Sequence, residues 1–253
     1  MSKILIGWAE ESLVPEKKVS LSGQFFERIS ESVESEICAT AMAVETKEDQ
    51  MIIVSVDMEG FPESLVQLAR EKFRELTNEI ISVYEEITEL KEEAVFEHKI
   101  INLDLPLRRV TMSDYNNAVR EIEYYIEKNK DKESFTFEDS ARLHVHIGTI
   151  TRFRRQQTTN VVTSEIHIIR FGDISISTSP FELFLDYGNI IKARALSEQA
   201  FIIQLCCGGM GYLPTEKAEK GGHYSAYVSS GVVGHEGGDV LVRKTIEEIN
   251  KMF

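Results

Sequence analysis

A glycine-rich stretch near the end of the chain, from Gly211 to Gly238, contains the residues best suited to chemistry. It holds His223 and His235 and follows the adjacent cysteines Cys206 and Cys207. Glycine lets the backbone approach a ligand closely, so this stretch could form one wall of a site. The competing interpretation is that the glycines make turns and that the histidines pack over them.

The remaining histidines and the cysteines suggest ordinary structural roles. His144 and His146 stand two residues apart, so they point in different directions on a helix but share a face on a strand. His167 is predicted to face solvent or to be satisfied in the core of an alternating strand. The cysteines show no spacing typical of a metal site, and Cys206 and Cys207 are predicted to lie in the core on a buried strand.

Strands that must position these residues are predicted at both ends of the chain. KILIGWA, and the pair SEICATAMAVE and QMIIVSVDM joined by the turn TKED, indicate a strand and a hairpin. The hairpin strands are almost continuously apolar, so we expect both of their faces to be buried. Together with AFIIQL, they are expected at the centre of one sheet system.

A long helix is predicted over 62–95. Its apolar residues recur at alternating steps of three and four, which is a heptad pattern; they are Val66, Ala69, Phe73, Leu76, Ile80, Val83, Ile87, Leu90 and Ala94. Two shorter helices broken near Thr77 are the alternative. Because such an apolar stripe must be buried against another surface, the sequence predicts a homodimer with this helix in its interface. The alternative is that the helix packs in antiparallel fashion or on the sheet.

Further along the chain, local signals are clear. Alternation of Ile101, Leu103, Leu105 and Leu107 predicts a half-buried strand. Thr111 is the predicted N-cap of the helix that follows it, and a second helix is expected at about 138–156. Gly172-Asp173 predicts a hairpin turn, and helices are expected after Pro180 and at the C-terminus.

Five stretches carry a family resemblance: SVDMEG, LDLPLRRVT, GDISISTSPFELFLDYG, GYLPTEKAEKGGHYSAY and the final GG-VLVRKTIEEI. In type and order they resemble the neutral/alkaline ceramidase superfamily, especially its short bacterial members, over about 3–69 and 103–253. The resemblance implies an α/β fold with mixed β-sheets flanked by helices, here a single domain over 1–253. It also implies a zinc amidohydrolase, in which a metal-bound water attacks an amide carbonyl.

The resemblance carries over to individual residues. Glu182, in SPFELF, matches the family's glutamate ligand to zinc. The family's tyrosine ligand lies in a loop of the form Asn-Gly-Tyr-x-Gly-Tyr; in CGGMGY, Gly209 takes the place of the first tyrosine and Tyr212 that of the second.

The rest of the implied site wall is Asp57, His223 and Tyr224. Asp57 ends a strand predicted to be buried, where a carboxylate is costly unless hydrogen bonds hold it. No catalytic residue is assigned.

Both zinc histidines of the family lack a counterpart, because its His-Thr-His-Ser-like and Gly-Asp-x-Asn-Pro-like segments are absent. The long helix stands where that central part would be. One carboxylate cannot hold zinc tightly, so the sequence predicts no cofactor. Zinc is the alternative, if Glu182 and Tyr212 act with His223 and with His144 or His146.

Composition limits the remaining possibilities. With 42 acidic and 28 basic side chains, the net charge of −14 argues against binding to nucleic acid or anionic lipid. The apolar run at the N-terminus is too short for a signal peptide, and none approaches the length of a membrane span. We therefore expect a cytoplasmic protein with an unassigned small-molecule ligand. Its expected function is that of a ceramidase-type amidohydrolase with activity lost or weak; the alternatives are a hydrolase with a rebuilt metal site and a non-catalytic binding or interaction module.

Overall fold

The computed structural model describes residues 4–21, 27–46, 49–58, 63–64, 66–68 and 95–253. The chain divides into two compact units, Met1–Val95 and Phe96–Phe253, and each is described by itself. Mixed and antiparallel sheets occur together with helices, so the predicted α/β class is confirmed. That the two units form a single domain stays a prediction.

The N-terminal unit is built on a three-stranded antiparallel sheet. Its order is β1 (Leu5–Ser12), β4 (Cys38–Glu45), β5 (Gln50–Val56), and β2 (Ser20–Leu21) pairs with β3 (Arg28–Ile29) in a separate ribbon. The predicted hairpin is confirmed, with Met42 of β4 opposite Ile53 of β5.

Burial of the hairpin differs from the prediction. Met51, Ile52 and Val54 of β5 are exposed, and Met42 is the buried apolar residue of β4. The expectation that both faces of these strands are buried is therefore wrong. An apolar run favours a strand, but it does not determine whether other elements pack on both faces of that strand.

The predicted helix at 62–95 lies almost wholly outside the described residues. Within it, 63–64 and 66–68 are described and helical, and Val95 is described and is not helical. The heptad interface and the homodimer built on it stay predictions.

The C-terminal unit holds the larger sheet, of order β10 (Gln199–Ile203), β8 (Ile174–Thr178), β7 (Val161–Phe171), β6 (Phe96–Pro106). β8 and β10 are parallel, and the other pairs are antiparallel. Gly172 turns the β7–β8 hairpin with a φ of 60°, as the sequence predicts. One face of this sheet carries Leu105, Ile166 and Ile168, which are fully or almost fully buried.

Strands predicted to form one sheet system lie in two sheets. β4 and β5 belong to the sheet of the N-terminal unit, whereas β10, which contains AFII, is an edge strand of the sheet in the other unit. Apolar runs reveal buried strands but not their partners, because pairing joins residues far apart in sequence.

Five α-helices are described in the C-terminal unit: α1 (Met112–Lys128), α2 (Phe137–Arg155), α3 (Leu185–Arg194), α4 (Glu216–Gly221) and α5 (His235–Asn250). Capping boxes begin α1 at Thr111 and α2 at Thr136. α3 and α5 contribute Ile191, Leu241 and Ile249 to the core against the sheet. In the described part of the chain, no helix has the length and apolar character needed to cross a bilayer.

Candidate functional site

The glutamate that resembles a zinc ligand is paired with a tyrosine. Two short parallel strands, β9 (Glu182–Leu183) and β11 (Tyr212–Leu213), place Glu182 opposite Tyr212. The Tyr212 hydroxyl forms a hydrogen bond with the Glu182 carboxylate. Burial, helped by the hydrogen bonds with Glu182 and Tyr224, raises the pKa of Tyr212 well above its usual range. Tyr212 is therefore a neutral phenol that keeps its proton and donates a hydrogen bond to Glu182.

Two more of the predicted residues join this wall. The rings of Tyr212 and Tyr224 meet edge to face, with centroids 5.7 Å apart, and the His223 ring lies 5.6 Å from that of Tyr224. His223 has a φ of 108°, a conformation that favours glycine and is unusual for histidine. The structure thus brings together Glu182, Tyr212, Tyr224 and His223.

Gly209 and Asp57 have other surroundings. A side chain added at Gly209 would meet no atom within 4 Å, so the place of the family's tyrosine is open space. Asp57 belongs to the N-terminal unit, where its Oδ2 accepts a hydrogen bond of 3.0 Å from the backbone N–H of Cys38. Its carboxylate is therefore held within its own unit by that hydrogen bond.

The glycines near this wall serve close packing. Gly211 and Gly231 form an isolated antiparallel bridge, and a Cβ on Gly231 would lie 2.1 Å from the carbonyl oxygen of Tyr212. Gly238, near the start of α5, lies against the Tyr187 ring, where a Cβ would come within 2.3 Å of the hydroxyl. The interpretation of these glycines as packing residues explains their positions without a ligand.

The residues at this wall do not fit a zinc ion. A zinc hydrolase uses about three protein ligands and a water molecule. Among the described residues, Glu182 belongs to no group of three His, Cys, Asp or Glu side chains with ligand atoms within 4.8 Å of one another. The neutral Tyr212 phenol uses the Glu182 carboxylate as a hydrogen-bond acceptor.

His144 and His146 lie on the helix α2, where residues two positions apart point in different directions. His144 is an exposed residue of α2, whereas His146 lines a cavity of about 530 Å³. That cavity lies between α1, α2, the end of β6 and the start of α5, and its volume is within the usual range for small ligands, about 300–1,000 Å³. Its charged and polar lining includes Arg108, Arg109, Asp114, Asn117, Glu121, Glu219 and Glu236.

The Glu219 carboxylate connects residues at one end of this cavity. Glu219 accepts hydrogen bonds from the backbone N–H of His235 (2.8 Å) and from its ring Nδ1 (3.0 Å). Arg108 lies 3.5 Å from the same carboxylate through Nε and donates from Nη1 to the carbonyl oxygen of Ala226 at 2.7 Å. Because His235 is the first residue of α5, Glu219 also places a negative charge at the positive end of that helix.

For His235 the sequence predicts either a site wall or a glycine turn with the histidine packed over it, and it assigns no role to Arg108 or Glu219. The signal available for Arg108 is its position directly after the predicted half-buried strand, where a charged side chain can contact the elements beyond the strand end. Glu219 offered none, since its contacts with Arg108 and His235 depend on the tertiary fold. Comparisons of the chain with protein-family models, curated proteins and solved structures found no match.

Proposed function

We propose that this chain is a ceramidase-type amidohydrolase whose hydrolytic activity is lost or weak. The observation that carries the proposal is the set of contacts made by Glu182, the residue that resembles the family's glutamate ligand. Its carboxylate accepts a hydrogen bond from the neutral Tyr212 phenol, and no described histidine joins it in a group of ligands.

Hydrolysis of an amide at neutral pH needs an activated water. In zinc hydrolases the metal lowers the pKa of that water to about 7, which takes several ligands to hold the ion. At this wall a single carboxylate and a neutral phenol can bind and orient a polar group. They do not provide the charge that would make water a nucleophile at neutral pH. A hydrolase with a metal site rebuilt around Glu182 is the rival.

The test is an activity assay with zinc supplied in excess. Wild-type protein, Glu182→Gln and the control Glu198→Gln are incubated with fluorogenic N-acyl substrates of several chain lengths. Glu198 is an exposed residue of the same unit, so its substitution changes the charge equally without touching the wall. We expect turnover no greater than that of buffer with zinc for all three proteins. Turnover that is kept in Glu198→Gln and lost in Glu182→Gln would establish the rebuilt hydrolase.

The cavity beside α1 and α2 favours a second candidate function, the binding of a small polar molecule. Arg108 is half-buried there beside the start of α5, and the acidic side chains of Asp114, Glu121 and Glu236 also line the cavity. A ligand that carries both a hydrogen-bond donor and an acceptor suits such a lining. The acceptor would pair with the arginine and the donor with a carboxylate, because buried polar groups need hydrogen-bond partners.

The binding function can be tested by blocking the cavity. Asn117 is an exposed residue of α1 that lines it, whereas its neighbour Asn116 is also exposed but does not line it. A set of small carboxylic acids, amides and amines is screened by ligand-observed NMR. We expect a bound compound to be lost in Asn117→Trp and retained in Asn116→Trp. A screen without binders, or binding unchanged in Asn117→Trp, would contradict this function.

A further inference from the structure

A cluster of metal-ligating side chains lies on the sheet of the C-terminal unit, separate from the Glu182 wall. One ligand atom each from Glu165, His167 and Cys207 lies within 4.8 Å of the other two. Within this group, His167 Nε2 is 3.2 Å from Glu165 Oε1. A carboxylate, an imidazole and a thiol are three different donors, which distinguishes this group from the acidic clusters common on protein surfaces.

Strand alternation explains how β7 contributes two of these side chains. Ile166 and Ile168 point into the core, so Glu165 and His167 share the opposite face. His98 of β6 lies on that face as well, since it is opposite Ile169 in the antiparallel register. His98 Nε2 is 2.9 Å from His167 Nδ1, and the two rings are stacked. The strands therefore hold His167 between two polar partners.

The loop after β10 brings the cysteines to this face. The prediction that Cys206 and Cys207 lie in the core on a buried strand is wrong, because β10 ends at Ile203 and Cys207 is exposed. Leu205 and Cys207 have φ values of 54° and 62°, which break the extended backbone. A hydrogen bond from the Cys206 N–H to the carbonyl oxygen of Ser179 (3.0 Å) holds the loop beside the end of β8.

The spacing of the donor atoms is close to that around zinc. Tetrahedral zinc with ordinary bond lengths places an oxygen and a nitrogen ligand about 3.3 Å apart. His167 Nε2 and Glu165 Oε1 are 3.2 Å apart, and the Cys207 sulfur lies within 4.8 Å of a ligand atom of each. A small movement of the exposed Glu165 and Cys207 side chains would close the group around one ion.

We propose that Glu165, His167 Nε2 and Cys207 bind a divalent zinc-like metal ion, with a water molecule as the fourth ligand. His98 is a positioning residue, because its Nε2 accepts a hydrogen bond from His167 Nδ1–H and thereby directs His167 Nε2 to the metal. Ligating histidines commonly have such a partner. Thiolate and imidazole ligands select zinc or cobalt over magnesium and calcium. This site is independent of the proposed function, since Glu182 is not among its ligands.

Cobalt provides a test that does not depend on a variant. Reduced, metal-free wild-type protein is titrated with Co²⁺, and absorption is recorded in the near ultraviolet and the visible. We expect a thiolate-to-cobalt charge-transfer band and the strong visible bands of tetrahedral cobalt, saturating at one ion per chain and removed by Zn²⁺. The absence of the thiolate band in protein with its thiols reduced would overturn the proposal.

Variants then identify the ligands through zinc affinity, measured by competition with a chromophoric chelator. His167→Gln, Glu165→Gln and the double variant Cys206→Ser/Cys207→Ser should each weaken binding by at least about 100-fold, more than the 10- to 100-fold typical of an outer partner. The matched controls Cys38→Ser and His144→Gln should bind as wild type does. Wild-type affinity in the three ligand variants would refute the assignment.

His98→Phe separates positioning from ligation. It should weaken zinc binding by about 10- to 100-fold and keep the thiolate-to-cobalt band, because the ligands themselves remain. Thermal unfolding of every variant without metal shows whether it is folded. Unchanged zinc affinity in folded His98→Phe would contradict its positioning role.

Discussion

Replacing Gly231 with alanine should destabilise the C-terminal unit, because the new methyl group would overlap the backbone of Tyr212. A Cβ at this buried position would lie 2.1 Å from the Tyr212 carbonyl oxygen and 3.2 Å from its carbonyl carbon. Rotation of a side chain cannot relieve this overlap, since the atoms met are backbone. The strand β11 would have to move away, and with it the residue that faces Glu182.

The size of the effect follows from three contributions. Overpacking of this kind costs about 1–3 kcal/mol. Movement of β11 would weaken the 3.0 Å hydrogen bond from the Tyr212 N–H to the carbonyl oxygen of Ser230, which costs about 0.5–1.5 kcal/mol. Alanine also restricts the unfolded chain, which returns about 0.4–1 kcal/mol. The free energy of unfolding should therefore fall by about 0.5–4 kcal/mol.

Urea unfolding followed by circular dichroism measures this change, with Gly209→Ala as the matched control. Gly209 lies in the loop before β11, and an added Cβ there meets no atom within 4 Å, so its substitution should change the free energy of unfolding by no more than about 1 kcal/mol. Equal stability of the Gly231→Ala and Gly209→Ala proteins would refute the packing role of Gly231. It would favour the interpretation of this stretch as a ligand-approach wall.

Two further predictions concern the fold that supports the site. Phe181 is fully buried next to Glu182, so Phe181→Ala should lower the free energy of unfolding, measured in urea, by about 3–5 kcal/mol. The control Leu196→Ala removes an exposed side chain and should change that free energy by no more than about 0.5 kcal/mol. Similar losses in both variants would contradict the assignment of Phe181 to the core. Hydrogen bonds from Lys132 and Tyr125 hold the pKa of Asp139 in the folded protein well below its usual range. The ionised Asp139 therefore stabilises the fold fully above about pH 4, the pKa of an unfolded aspartate, and this stabilisation is lost as the pH falls towards the pKa of the folded state. Urea unfolding at decreasing pH should show a smaller acid-induced loss in Asp139→Asn than in wild type, and an identical loss in both would refute this role of Asp139.

Local structure was predictable from the sequence where neighbours in the chain determine it. The capping box at Thr111 depends on Asp114, three residues later, and the β7–β8 turn depends on Gly172. Alternation in β6 identified its core-facing residues, because strand geometry sends every second side chain to the same face. The grouping of Glu182, Tyr212, His223 and Tyr224 was expected from the resemblance, and the structure places these side chains together.

Other features were decided by the tertiary structure alone. The hydrogen bond between Tyr212 and Glu182 depends on the pairing of β9 with β11, and the contacts of Glu219 depend on where α5 begins. The approach of Cys207 to His167 requires a loop to fold over the end of another strand. No spacing in the sequence encodes that approach, because the distance between such groups is set by the packing of elements that are far apart in the chain.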